Sequence, residues 1–501
     1  MSKNNSYGQI LKSSSIIGGA QAINMVIGMI RTKFVAVLLG PAGVGLIGTY
    51  VAITGLVRCL SGLGINSSGV REVAEANGGG HAEQVGRTIL TLRRMVWLTG
   101  AVGVLILGLF AVPISQFTFK DSSHAVPLMF LAVTLFFQAI QGGQMALIQG
   151  MRRIADLARI NVIGSAVGTV ISIGLYYWMG MDGIVPALIS LAALNLGTSW
   201  WFARKMPVPK VTMTWRESFA QTGGLIKLGV AMMCSGLVVT FVAYLTLALI
   251  SRDISIEAVG VFQAAFSLSG MFINFVLGAM GADFYPSLTA VSHDNKKVNS
   301  LVNEQTEIGL LLAVPGLIAT IVLAPLVIWI FYTGAFTESV DLLRWFVFGC
   351  LGRVVSWPMG FIMLARGESR LFLITETMFG LIHAALIWIG LKFFGLMGVA
   401  IAFMTLYILY TAAMLAVSRH LTSFTWSRGV KALLFILLPA SLFVFLTSLL
   451  LPVLPATAIG SVLWLLVGVY CLRQLAMRLG AEHRICRMVA KVPGGRRLIR
   501  V

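Results

Sequence analysis

Three arginines stand where arginine is costly. Arg31 lies in Ser13–Leu39, Arg58 in the run 43–66 and Arg353 in the run 341–365, all three otherwise strongly apolar. An arginine at the bilayer centre costs about 2.5–3.5 kcal/mol on insertion scales, so such residues face a polar interior or a partner. A guanidinium stays charged and offers a planar fork of donors that fits carboxylate or phosphate oxygens. On a helical wheel Gln21, Asn24, Gly28 and Arg31 share one narrow face. Tyr50, Thr54, Arg58 and Ser61, spaced 4, 4 and 3, share another. Lys33 points away from Arg31 and lies near the end of its run, a snorkelling position.

Acid is scarce at the same depth. Of the 18 Asp and Glu, only Glu376 falls well inside an apolar run, with His383 seven residues on and nearly on the same stripe. A cavity for organic cations needs buried carboxylates. Three arginines against one acid favour an anionic ligand, and a diphosphate fits the fork geometry. Glu376 has two readings, as counter-ion to an arginine or as a protonatable group coupling movement to an ion gradient, with His383 beside it.

The elements that carry these residues follow from composition. The chain has 501 residues, 58% hydrophobic and 11% charged, with mean hydropathy +0.91, which is the profile of an all-α polytopic membrane protein. We read fourteen spans: 13–39, 43–66, 90–113, 124–149, 158–179, 183–203, 225–250, 257–281, 307–332, 341–365, 371–394, 396–418, 431–451 and 456–477. The net charge of +19 would suggest nucleic acid in a soluble chain, but here its distribution argues against a nucleic-acid partner. Arg31, Lys33, Arg58, Lys120, Arg252, Arg344, Arg353 and Lys392 fall in span interiors or outer loops, which leaves 29 of the 37 Lys and Arg for one side. The positive-inside rule then places both termini in the cytoplasm. The first span has no small-residue cleavage site and is expected to persist.

The chain also repeats itself. IleLeuLys at 10–12 is echoed by LeuIleLys at 225–227, ValGlyLeuIle at 44–47 by ValGlyValPhe at 259–262, and GlyIleVal at 183–185 by GlyValAla at 398–400. These offsets are all 215, and GlyMetArgArg at 150–153 matches GlyGluSerArg at 367–370 at 217. An even number of spans per repeat makes the halves parallel, related by an axis along the membrane normal. The expected layout is a six-helix bundle over 1–203, a cytoplasmic linker over 204–222 and a second six-helix bundle over 223–420. Transmembrane helices 13 and 14 then occupy 421–477, and a basic cytoplasmic tail fills 478–501. The two bundles are expected to enclose a central cavity. Ser67–Thr88 and Pro286–Gln305 occupy equivalent places and read as short interfacial helices. The tail is expected to meet anionic membrane lipids.

Enzyme chemistry is not expected. No Walker loop, HExxH, CxxC pair or serine elbow is present, and the five scattered cysteines form no metal spacing. Neither a metal nor a cofactor is called for.

Several segments resemble a known family. They are LGPAGVGLIG at 39–48, LGINSSGVREVAE at 63–75, EAVGVFQAAFSL at 257–268, FYPSL at 284–288 and LARGESRLF at 364–372. Over residues 7–420 the chain resembles the Wzx-type O-antigen flippases, especially the enterobacterial-common-antigen subgroup. These belong to the multidrug/oligosaccharidyl-lipid/polysaccharide exporter superfamily. The resemblance implies alternating access in a bacterial inner membrane and an undecaprenyl-diphosphate-linked glycan as substrate. Downstream glycan polymerase machinery is the partner it implies. It assigns substrate contact to Arg31, Arg58 and Arg353, with Lys33 at the basic position of the common-antigen subgroup. Asn24, on the face of Arg31, joins that set. The fourteen spans exceed the twelve-span core of many relatives. Two other readings stand beside it: a cation-coupled multidrug exporter of the same superfamily, and a non-transporting scaffold for polymerase machinery. An exporter of cations would be expected to carry an acid in span 1, and this chain has none.

Overall fold

The computed structural model describes residues 3–79, 82–209 and 211–479. The end of the expected basic tail, 480–501, lies outside the described residues. Among those described, helices follow one another with no strand. They are α1 (Lys3–Gly62), α2 (Ile65–Gly78), α3 (Ala82–Phe119), α4 (Ala125–Gly150), α5 (Ile154–Met179), α6 (Ile184–Ala203) and α7 (Trp215–Asp253). Then come α8 (Ile256–Ala290), α9 (Asn295–Val322), α10 (Ala324–Phe331), α11 (Ser339–Ala365), α12 (Ser369–Thr422), α13 (Arg428–Leu450) and α14 (Val453–Leu479). Two compact units result. One is Met1–Gly260 with Phe331–Thr333, and the other is Val261–Ile330 with Gly334–Val501.

Eleven helical stretches among the described residues are long and apolar enough to cross a membrane. Three of them, Gly18–Gly62, Ile154–Ala203 and Ser369–Thr422, run 45, 50 and 54 residues. At about 1.5 Å per residue each is at least twice the ~30 Å of hydrocarbon. Each is broken by one glycine in the left-handed region: Gly40 at φ 63°, Gly180 at 57° and Gly395 at 55°. A side chain at such a φ is strained, so glycine marks the bend. At Gly40 the following Pro41 adds to the break, because proline disfavours helical conformation in the residue before it. These breaks coincide with the sequence boundaries 39/43, 179/183 and 394/396.

The offset of 215 reappears in the backbone. Gly180 and Gly395 are 215 apart, and so are the contacts that close their hairpins. A Cβ at Gly183 would stand 2.5 Å from the Leu175 carbonyl oxygen, and one at Gly398 would stand 1.9 Å from that of Gly390. A third pairing is reciprocal. In the first unit, a Cβ at Gly45 would stand 2.1 Å from the Ile256 oxygen, and one at Gly260 would stand 1.9 Å from the Pro41 oxygen. Adding 215 to Pro41 and Gly45 gives Ile256 and Gly260. The two contacts are therefore reciprocal at the offset of 215 residues.

The two interfacial segments differ. Ile65–Gly78 is a separate helix that buries Ile65, Val73 and Ala76 against α3 and α4. The segment expected at 286–305 is not a separate helix. α8 runs on through Pro286 to Ala290, and α9 begins at Asn295, capped by Asp294 accepting from the Lys296 and Lys297 amides. Helix α7 stands at the head of the second sequence repeat, yet it packs on α1, α2 and α3. Arg94 of α3 holds its start, donating to the Met213 and Thr214 carbonyls at 2.7 and 2.9 Å and to Ser218 Oγ at 2.6 Å. The last two helices pack on α9 within the second unit. There Glu307 receives Arg478 Nε at 2.7 Å and Ser427 Oγ at 2.9 Å.

The reciprocal glycine contact yields a prediction. Gly260→Ala should lower stability by about 1–3 kcal/mol, the usual range for overpacking. Gly55→Ala, where a Cβ meets nothing within 4 Å, should leave it unchanged. Thermal unfolding of the two purified variants in detergent checks the pair.

Candidate functional site: arginines and a tyrosine–carboxylate pair within the helices

In the first unit Arg31, half-buried on α1, lies within electrostatic reach of Tyr176 on α5. Among the described residues it has no acid partner within ion-pair distance. Asn24, two turns earlier, keeps its Oδ1 buried with no hydrogen-bond partner among those residues. Between them Gly28 opens the helix surface, since a Cβ there would meet nothing within 4 Å. Asn24, Gly28 and Arg31 thus line one face, with a buried acceptor at one end and a cation at the other. Lys33 points elsewhere. Its ammonium donates to the Tyr332 backbone carbonyl, in the short segment Phe331–Thr333 that belongs to the same unit.

Arg58 is exposed on α1, and its Nη1 donates to Gln138 Oε1 on α4 at 3.2 Å. The rest of its sequence face is not wet. Tyr50, Thr54 and Ser61 are buried in the bundle. Tyr50 Oη meets His124 Nδ1 at 2.8 Å, and Thr54 Oγ1 donates back to the Tyr50 carbonyl at 2.8 Å. These hydroxyls were satisfied by packing, and only Arg58 on that stripe presents charge. His124 itself, just before α4, is stacked on Phe119 with centroids 3.9 Å apart. Burial holds its imidazole below the usual range, against the pull of the Asp121 carboxylate.

The second unit holds the other named residues. Arg353 on α11 is half-buried and lies within electrostatic reach of Tyr407 on α12. Close packing of α11 on α12 sets this, since a Cβ at Gly352 would stand 3.0 Å from Tyr407 Cβ. Glu376, also on α12, accepts from Tyr410 Oη at 2.7 Å. The Gly395 bend brings these two residues, 34 apart in sequence, side by side. Tyr407 lies within electrostatic reach of both Arg353 and Glu376. His383, two turns from Glu376, rests near Phe403 with centroids 6.3 Å apart and has no hydrogen bond among the described residues.

Sequence reasoning missed the partners rather than the charges. Gln138, Tyr407 and Tyr410 are ordinary polar residues in apolar helices, and their pairings span 80, 54 and 34 positions. It also missed the pairing of Arg344, which is buried and donates to Asp341 Oδ1 at 2.8 Å. An arginine three residues after an acid in a helix's first turn is the signal that was available.

Residues 34–341 match the model of the polysaccharide biosynthesis protein family. The chain belongs to that family. A curated relative, the lipid III flippase of Escherichia coli K12, is 23% identical over 409 residues, covering 80% of this chain and 96% of the relative. The same identity and coverage hold for the lipid III flippase of Shigella flexneri. Among solved structures, the lipid II flippase MurJ in an inward closed conformation superposes with TM-score 0.70 at 15% identity, over 92% of this chain and 99% of that one. An inward-facing multidrug resistance MATE family transporter of the MOP superfamily gives 0.66 at 16%, over 82% and 96%. At these identities the structural neighbours establish the fold of this family member.

The tyrosine–carboxylate pair can be separated by mutation. Tyr410→Phe removes the donor and should cost about 1 kcal/mol. Glu376→Gln keeps an acceptor oxygen and should cost less. Chemical or thermal unfolding in detergent ranks the two.

Proposed function

We propose that this chain is a flippase for an undecaprenyl-diphosphate-linked oligosaccharide, an O-antigen or related repeat unit, moving it from the cytoplasmic to the periplasmic leaflet by alternating access. The observation that carries the reading is the sign of the charge held inside the helices. Arg31, Arg58 and Arg353 have no carboxylate within ion-pair distance among the described residues. Guanidiniums left without anions in a low-dielectric setting select an anionic ligand. A diphosphate satisfies them, and the relatives named lipid III flippase supply the precedent for flipping a lipid-borne substrate.

The assignments follow. Arg31, Arg58 and Arg353 bind diphosphate oxygens, and Asn24 offers its free acceptor to a sugar hydroxyl or water. Lys33, tied to a backbone carbonyl, is assigned to the edge of the site. Glu376 and His383 are the candidates for ion coupling, with Tyr410 as the hydroxyl that Glu376 would release on protonation. Each of the three long glycine-broken stretches is read as two crossings, which makes fourteen from eleven. Both termini then lie in the cytoplasm, as the basic loops require. Glycan polymerase machinery is the partner class such a substrate implies.

A cation exporter of the MATE type is favoured only by the shared fold. The absence of any acid among residues 13–39 speaks against it.

The reading is tested in cells by replacing the native gene with Arg31→Ala, Arg58→Ala or Arg353→Ala and measuring surface glycan with protein levels matched. Each variant should lose at least about tenfold of its flipping, as expected when a charged hydrogen bond of roughly 1.5–3 kcal/mol is removed. Wild-type glycan in all three would overturn the arginine mechanism.

A further inference from the structure

A groove of about 740 Å³ lies within the first unit, on the surface shared by α3, α4 and α6. It takes no residue from α1 and contains none of the arginines assigned above. Its walls are long and apolar, with Leu147, Ile140 and Phe137 from α4 and Val96 from α3. Two cations line it, Arg93 from α3 and Arg204 at the end of α6, and no acid does. Beside each cation stands a half-exposed tryptophan one turn away, Trp97 and Trp200. In the fourteen-crossing reading α3 and α6 run antiparallel. The order Arg93, Trp97 on one helix and Arg204, Trp200 on the other then puts both cations toward the same end.

The residues are held open for a guest. Trp97 is braced edge-on against Phe136 with centroids 5.2 Å apart. Arg204 lies over Trp201 at 3.7 Å and Trp200 at 4.9 Å, which fixes its guanidinium at the rim. Arg93 is exposed and has no hydrogen bond or ion pair among the described residues. On the α6 wall Gly197 faces open space, with nothing within 4 Å of a Cβ. Cations at one end, tryptophans below them and an apolar trough beyond reproduce the polarity profile of a single lipid at a membrane interface.

We propose that this groove binds one anionic phospholipid, with its phosphodiester between Arg93 and Arg204 and an acyl chain along the trough toward Phe136 and Ile140. Charge complementarity selects the occupant. A zwitterionic lipid of the same chains brings a choline or ethanolamine cation to the two guanidiniums, whereas phosphatidylglycerol brings only the anion. The site is distinct from the diphosphate site, and the inference does not rest on the transport reading.

Native mass spectrometry of the full-length protein in detergent tests it, with dipalmitoyl phosphatidylglycerol and dipalmitoyl phosphatidylcholine as probes. The wild type should retain one phosphatidylglycerol per chain with about tenfold or greater preference over phosphatidylcholine, since each cation near a membrane surface is worth roughly fivefold. The double variant Arg93→Gln/Arg204→Gln should lose the preference while still holding either lipid weakly. Gly197→Trp puts an indole on the α6 wall where a Cβ meets nothing within 4 Å, keeps both arginines, and should abolish retention of both lipids. Equal retention of the two lipids by the wild type would overturn the proposal, as would a preference unchanged in Gly197→Trp. Undecaprenyl diphosphate is the third probe. If it displaces phosphatidylglycerol from the wild type and both variants block it, the groove belongs to a polyprenyl carrier and the phospholipid assignment is wrong.

Discussion

The structure turns on a backbone-to-backbone crossing that only glycine permits. At Gly45 and Gly260 the main chains of α1 and α8 approach so closely that a single methyl group would fall about 2 Å from a carbonyl oxygen. Small residues let helices approach in lipid, where dispersion and close packing replace the hydrophobic drive. Here the two glycines stand 215 positions apart, and so do the residues they touch. The same offset separates the bends at Gly180 and Gly395, which share a positive φ and a close main-chain approach.

Within that frame the charges are treated unequally. Lys33 is tied to a main-chain oxygen, Arg58 to a neutral amide, and Arg344 to a carboxylate. Arg31 and Arg353 have phenols nearby and, among the described residues, no carboxylate within ion-pair distance. A neutral neighbour leaves a guanidinium's charge in place, whereas a carboxylate cancels it. Glu376, the acid most deeply placed in the sequence, accepts the Tyr410 hydroxyl.

Much of this was legible beforehand. The three bends were visible because glycine, and at one of them glycine followed by proline, interrupts apolar runs too long for one crossing. The arginines were visible because charge in such runs is rare. What sequence could not supply was the side of each helix that faces another helix. Tyr50, Thr54 and Ser61 look like a polar stripe, yet the bundle buries them: Tyr50 pairs with His124, and the Thr54 hydroxyl returns a hydrogen bond to its own helix. Periodicity states which residues share a face but not what covers it. The segment 286–305 was read as a separate interfacial helix because it mixes charged and apolar residues after a proline, yet Pro286 is tolerated within the last turns of α8 and the rest opens α9. Glu307 was unremarkable because its partners, Ser427 and Arg478, lie 120 and 171 positions away.

That last cluster has a consequence for how the C-terminal pair of helices is held. Glu307 gathers the hydroxyl of Ser427, the N-cap of α13, and a guanidinium from the last turn of α14, and Gly429 leaves room for its carboxylate. The terminal pair is thereby keyed into α9 by a polar latch as well as by apolar packing. One carboxylate ties the start of one helix to the end of the next, so the hairpin they form is clasped at its open end.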